Sequence, residues 1–340
     1  MGVVLVKSLA ATLLAMGILT PFACAQSPTL LNPTTILHGP SLGGKAHVEI
    51  NPNGTFAAFG DPNQMVQLSS LSFSDDGAFL AAGSTPGSVD LWDATHHKLL
   101  KSYEGSTAAA LSSDGKLLAT GEISIIDVAS RKEICKSRWD NKGKAEDIVD
   151  RMSFSPSDAY LAVNANGSDI SIYDAKTCKF LATLADARDG GFTPDGKQFI
   201  GANYQKLTVW GVDGWKLLST FPAGPDYTNS FAVSPDGQTV LIGGPNYAKL
   251  VRISDGMVLR KLGTGWVLGV AYLTSDVLMV RDHNQLAFWS EDGKLLCSNT
   301  KVDGPNVAMS KNGVLAVGLG HQRDISLWSD AEVRQACHLN

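Results

Sequence analysis

The sequence predicts an all-β chain of four-stranded antiparallel sheets repeated around a common axis. Three observations carry that expectation. A strand–turn–strand segment recurs in seven copies, a second apolar segment follows each copy at a near-constant delay, and no helical periodicity occurs beyond the first 25 residues. Composition fits a large core. Of 340 residues 44% are hydrophobic and only 18% charged, the reverse of the balance that keeps a chain disordered. The formal charge of −5 argues against nucleic acid, whose binders concentrate positive charge to displace counterions from phosphates.

Residues 1–25 read as a signal peptide. Lys7 precedes the apolar run SLAATLLAMGILT, and Pro21 and the small-residue stretch Ala23–Cys24–Ala25 follow. The run is shorter than the ~20 apolar residues that span a bilayer, and nothing later is long and apolar enough for a membrane helix. Cleavage after Ala25 would deliver the chain to the periplasm or the exterior. Pro21 stands where a lipoprotein leader usually has Leu before its Cys, which argues against lipid anchoring at Cys24. Four cysteines then remain, Cys135, Cys178, Cys297 and Cys337. An oxidising compartment would allow them two bridges in any of three pairings, with buried free thiols as the alternative.

The repeat proper begins with LSFSDDGAFLAAG at Leu71. Its relatives are AALSSDGKLLATG at 109, MSFSPSDAYLAVN at 152, GGFTPDGKQFIGA at 190 and FAVSPDGQTVLIG at 231, with weaker copies at 270 and 307. Each is an apolar strand, a Ser/Pro/Asp/Gly turn and a second strand, the pattern of a β-hairpin. The second motif reads VDLWD, SIIDV, ISIYD, LTVWG, LVRIS, LAFWS and ISLWS. It places Trp92, Ile126, Tyr173, Trp210, Ile253, Trp289 and Trp328 about 39 residues apart on average. A short strand such as KLLKSY or KFLATL completes each unit. Four strands per unit with turns every 8–12 residues specify a β-propeller. The recurring aromatics are expected in the core, because a residue repeated in every blade meets the same neighbour each time.

These motifs resemble the WD40-repeat family, over about residues 66–340, as an exported, bacterial-type member with degenerate repeats. The family's Gly-His dipeptide is missing, and the terminal Asp survives only at Asp93, Asp127 and Asp174. The family's hydrogen-bond network is therefore not expected, and packing must supply blade rigidity. Seven blades are favoured. Residues 26–65 form an N-terminal segment that supplies ring-closing strands: TFAAF (55–59) would complete the last blade as its outer strand, with the C-terminal SDAEVRQACHLN as a competitor. The alternative makes HVEINPNGTFAAFG the first hairpin of an eighth blade, with NPNG as its turn.

No catalytic motif occurs, no cofactor or metal is implied, and an enzyme is not expected. GTGWVLG (263–269) has the wrong spacing for a dinucleotide fingerprint and opens no helix. The acidic turns SDDG, SSDG and TPDG are explained by turn chemistry. Candidate binding residues lie instead between second and third strands, on the face where the family resemblance places ligands: Asn203, Tyr204, Asn246, Tyr247, Asp282, His283, Asn284, His321 and Arg323. Amides and tyrosines there suit a peptide or a sugar, and loops on a rigid scaffold commonly carry recognition. The expected function is an exported scaffold that binds a protein or peptide. The alternatives are a metal-assisted hydrolase or lactonase-like enzyme drawing on Asp282, His283 and His321, or a sugar-binding module.

Overall fold

A computed structural model describes residues 67–299 apart from 86, 94–95, 97, 105–107, 122, 138–148, 166–168, 204, 224–227, 229 and 264. It also describes the strands Thr35–His38, Glu49–Ile50, Ala57–Ala58, Asn306–Met309, Leu315–Gly318 and Asp324–Trp328 and the segment 330–337. The signal-peptide reading of 1–25 lies outside the described residues.

The described strands form seven four-stranded antiparallel sheets and one two-stranded ladder. Six sheets are continuous in sequence, spanning 67–104, 109–136, 149–184, 189–222, 230–263 and 267–299. The first strand of each packs beside the first strand of its neighbour, and Arg151 and Asp189 pair between the 149–184 and 189–222 sheets. The fold is a β-propeller. Serine side chains bind the inner strands together: Ala109 N–H donates to Ser70 Oγ, Leu111 N–H to Ser72 Oγ and Val270 N–H to Ser230 Oγ, each at 2.9 Å.

The cores lie between sheets. Leu91, Val89 and Ala81 of one sheet meet Leu118, Ile126 and Val128 of the next, and four further junctions repeat the arrangement. Each buried Leu or Phe contributes roughly 1.5–3 kcal/mol relative to exposure. Ile126, Tyr173, Trp210, Ile253 and Trp289 all pack back against the preceding sheet, as their regular spacing predicts. Trp92 and Trp289 are half-buried rather than fully enclosed. The indole N–H groups of Trp210 and Trp289 are buried with no hydrogen-bond partner among the described residues, so apolar contact holds them.

A register shift precedes this motif residue in five sheets, at Leu91/Trp92, Ile125/Ile126, Ile172/Tyr173, Val209/Trp210 and Phe288/Trp289, and in the 230–263 sheet it falls at Leu250/Val251, so that Val251 rather than Ile253 holds the equivalent place. Such bulges bend and twist the outer strand. Beyond three of these bulges the outer strand bonds to the turn that ends the next sheet's third strand. Lys101 Nζ donates to the Arg131 carbonyl, Cys135 bonds to Cys178, and Arg260 Nε donates to the Asp292 carbonyl, while Ala182 and Trp215 pack on one inter-sheet core.

Two expectations are corrected. Residues 55–59 do not supply the outer strand of the last sheet: Thr35–His38 pairs antiparallel with Asp324–Trp328, while Ala57–Ala58 pairs with Glu49–Ile50. Glu49–Ile50 in turn lies against both Asn306–Met309 and Gln67–Phe73, bridging the last and first sheets. The C-terminal segment is not a strand either. Asp330–Ala336 is a helix, too short for its periodicity to stand out in the sequence. Tertiary contacts hold it: Val333 and Cys337 are buried against Met279, Phe288 and Cys297, Cys337 bonds to Cys297, and Arg334 reaches Thr274 Oγ1.

Candidate functional site

The two rims of the propeller differ in chemistry. One is built from turns between first and second strands. There Ser74, Ser112, Thr193, Ser234 and Thr274 each donate a hydroxyl hydrogen to the Asp two residues on, at 2.6–2.9 Å. In four of these turns the same hydroxyl oxygen accepts the N–H that opens the second strand. Gly77, Gly115, Gly196 and Gly237 close the turns at φ near 70° (68–71°), where a side chain would be strained. In the 149–184 sheet Asp158 takes that place at φ 55°, and its carboxylate accepts the Ser113 N–H of the neighbouring sheet. These carboxylates are occupied with their own turns. Asp114 is held below the usual carboxylate range chiefly by its bond from Lys116, and Asp195 chiefly by the Lys197 N–H.

The opposite rim carries the candidate binding residues. It joins the turns between second and third strands to the connections that enter each new sheet. Asp186, in one such connection, accepts from Asn203 Nδ2 at 3.2 Å and from Lys206 Nζ at 2.9 Å, so Asn203 serves the rim's own framework. Tyr247 is 5% exposed and belongs to an inter-sheet core. Its hydroxyl lies 3.4 Å from Thr228 Oγ1, and Lys249 Nζ stands 4.4 Å over its ring. Lys249 also donates to the Ala223 carbonyl, and its pKa is lowered by burial and then by Lys261. Asn246 is exposed at the tip of the same turn.

Asp282, His283 and Asn284 form the third candidate turn. Asp282 Oδ1 accepts the N–H groups of Asn284 at 2.7 Å and Gln285 at 2.9 Å, which turns the carboxylate onto its own backbone. Beneath it the fully buried Arg281 donates to the Asp282 and Gln285 carbonyls. His283 is exposed, and its N–H donates to the Trp266 carbonyl at 3.2 Å. The two rings are tilted with centroids 6.1 Å apart. Tyr204, His321 and Arg323 lie outside the described residues.

Trp266 is the residue the candidate set lacks. It is 44% exposed, on the connection entering the 267–299 sheet, and its position is fixed by the bond from His283. The signal was present in the sequence: this Trp falls off the periodic track that explains Trp92, Trp210 and Trp289, inside the segment GTGWVLG.

Comparison with known proteins points to one family. The model described as "WD domain, G-beta repeat" matches residues 52–93, a window that ends on Trp92 and Asp93. Residues 52–93 thus carry a WD40 repeat, and the four-stranded sheets that follow support the WD40-repeat family. The chain is also similar to Pre-mRNA-processing factor 19 of Oryza sativa subsp. japonica, at 26% identity over 179 residues. That match covers 48% of this chain and 34% of the rice protein, about a third of its length. WD40 repeats generally serve as protein-interaction scaffolds. No helix among the described residues is long and apolar enough to cross a membrane.

Proposed function

We propose that this WD40 protein is an exported, non-enzymatic scaffold that captures a protein or peptide on the rim bearing Trp266, His283 and Asn246. Trp266 carries the reading. A large exposed aromatic, held by a backbone bond on a rigid rim, is the residue type that dominates binding energy at interfaces. Exposed Asn246, Asn284 and His283 carry donors and acceptors on the same rim. Export is supported by the leader-like 1–25 segment together with two disulfides, Cys135–Cys178 and Cys297–Cys337, which persist in oxidising compartments.

The test is affinity capture from the exported fraction of the source cell, with Trp266→Ala beside the wild type. The expected result is a partner whose recovery falls at least about tenfold in the variant, the scale of a hot-spot residue. Equal recovery by both proteins would refute the rim reading. Export is tested separately by sequencing the N-terminus of the mature protein, which should begin at Gln26. A sugar is the second reading, since Trp266 beside His283 offers a face on which a pyranose ring can stack. Glycan-array binding that Trp266→Ala abolishes would favour it.

A further inference from the structure

We propose that the perimeter formed by the outer strands Phe180–Leu184 and Lys216–Pro222 is a second docking surface, for a short acidic amphipathic helix of a partner protein. Phe180, Leu181, Leu217 and Leu218 are 49%, 37%, 50% and 55% exposed. They lie on neighbouring sheets. Trp215, immediately before Lys216, packs on the same inter-sheet core as Ala182 and stands edge-on to Tyr160 of the 149–184 sheet with ring centroids 5.0 Å apart, which places the start of the Lys216–Pro222 strand at the junction with that sheet. Four exposed apolar side chains there make a patch of order a few hundred Å², the scale that marks an interaction site.

Charge narrows the occupant. The six outer strands from Lys98 to Asn299 hold seven basic residues and two acidic ones, whereas the whole chain has 28 basic and 33 acidic. At the patch itself exposed Lys176, Lys179 and Lys216 outnumber Asp213, and Asp174 is bound to the N–H groups of Lys176 and Thr177. A second copy would oppose like charges. An acidic partner would not.

Shape argues for a helix rather than an added strand. The bulges at Ile172/Tyr173 and Val209/Trp210 twist both outer strands, and edge lysines such as Lys216 discourage strand addition. The molecule also contains its own example. Leu296 occupies the bulge position on its sheet that Leu181 and Leu218 occupy on theirs, and it packs into the cluster completed by Val333 of the C-terminal helix. A partner helix with apolar residues at i, i+3, i+4 and i+7 would cover the neighbouring pairs in the same way.

The probe is a fluorescein-labelled peptide with leucines at that spacing and glutamates on its other face, titrated against the full oxidised chain by anisotropy. Leu217→Ser with Leu218→Ser should weaken binding at least about tenfold, and Lys179→Glu with Lys216→Glu should do the same while admitting a lysine-faced peptide. Trp266→Ala should leave the affinity unchanged, which separates this surface from the rim. Circular dichroism of each variant guards against misfolding. The proposal is overturned by an absence of binding, by equal binding to the serine variant, by loss of binding in Trp266→Ala, or by preference for anionic phosphatidylglycerol vesicles over the peptide.

Discussion

Two junctions of the ring occupy the same place in the architecture and use different chemistry. Between the 109–136 and 149–184 sheets, Cys135 of the outer strand is bonded to Cys178, with Cα atoms 5.7 Å apart. Between the 230–263 and 267–299 sheets, Arg260 donates to the Asp292 carbonyl at 2.6 Å and lies against Gly293. Cys135 and Arg260 stand at the same step beyond the bulge, and Cys178 and Gly293 both hold the left-handed position that ends the turn, at φ 55° and 90°. Arg131, Trp215 and Gly256 share that conformation at φ 57°, 51° and 69°. The fold therefore fixes where neighbouring sheets touch and leaves open whether the contact is a covalent bond, a hydrogen bond or apolar packing.

The largest expected difference comes from removing the covalent version. Cys135→Ala with Cys178→Ala should lower stability by about 2–5 kcal/mol, because the 43-residue separation no longer constrains the unfolded chain. Urea unfolding at fixed pH reads this directly. A loss near zero would mean that the bridge merely records proximity already enforced by the surrounding core of Ile125, Met152 and Tyr173.

Transferring the bridge sharpens the comparison. Lys101 and Arg131 hold the equivalent positions at the first junction, where Lys101 Nζ donates to the Arg131 carbonyl at 3.1 Å. Lys101→Cys with Arg131→Cys should oxidise without a catalyst and raise stability by about 2 kcal/mol. Peptide mapping should recover the bridged pair. A variant that stays reduced would show that the junctions are less equivalent than their shared register implies.

At the unbridged junction the effect is smaller. Arg260→Met keeps most of the aliphatic stem over Gly293 and removes the bond to Asp292, so it should cost about 1 kcal/mol. Urea midpoints for the variant and wild type measure it. A loss as large as that of the cysteine pair would erase the distinction between the junctions.

This position was half legible in the sequence. The tracks KLLK, KEIC, KFLA and KLLC can be aligned by eye, and their fourth residues are Lys101, Cys135, Ala182 and Cys297. The strands and turns were readable because hairpin chemistry is local: Ser, Asp and Gly at fixed offsets write the same turn each time. Pairing between distant segments was not readable. Thr35–His38 closes the last sheet across nearly the whole chain, and TTILH has no feature that distinguishes it from TFAAF as a strand. For the rim, alternation identified the turns but not the depth of each side chain. Tyr247 and Trp266 exchange roles for that reason, the first buried under Lys249 and the second exposed above His283.

The smallest expected effect separates the two junctions by acid. Asp174 lies in the turn that Cys178 ends, and its pKa is lowered chiefly by the Thr177 hydroxyl. Asp292 lies in the turn that Gly293 ends, and its pKa is lowered chiefly by the Ser290 hydroxyl. A carboxyl whose folded pKa is depressed supports the fold above its unfolded value and loses that support as pH falls through the folded one. Both turns should therefore loosen as pH falls from about 5 to about 3, but only one is tied to the neighbouring sheet by a covalent bond. Native-state amide exchange distinguishes them. The Gly293 N–H, bonded to the Ser290 carbonyl, should lose protection before the Cys178 N–H, bonded to the Asp174 carbonyl. After Cys135→Ala with Cys178→Ser the order should converge, because neither turn is then tied to its neighbour by a covalent bond. Protection that stays unequal in that variant would assign the difference to packing around Tyr173 rather than to the bridge.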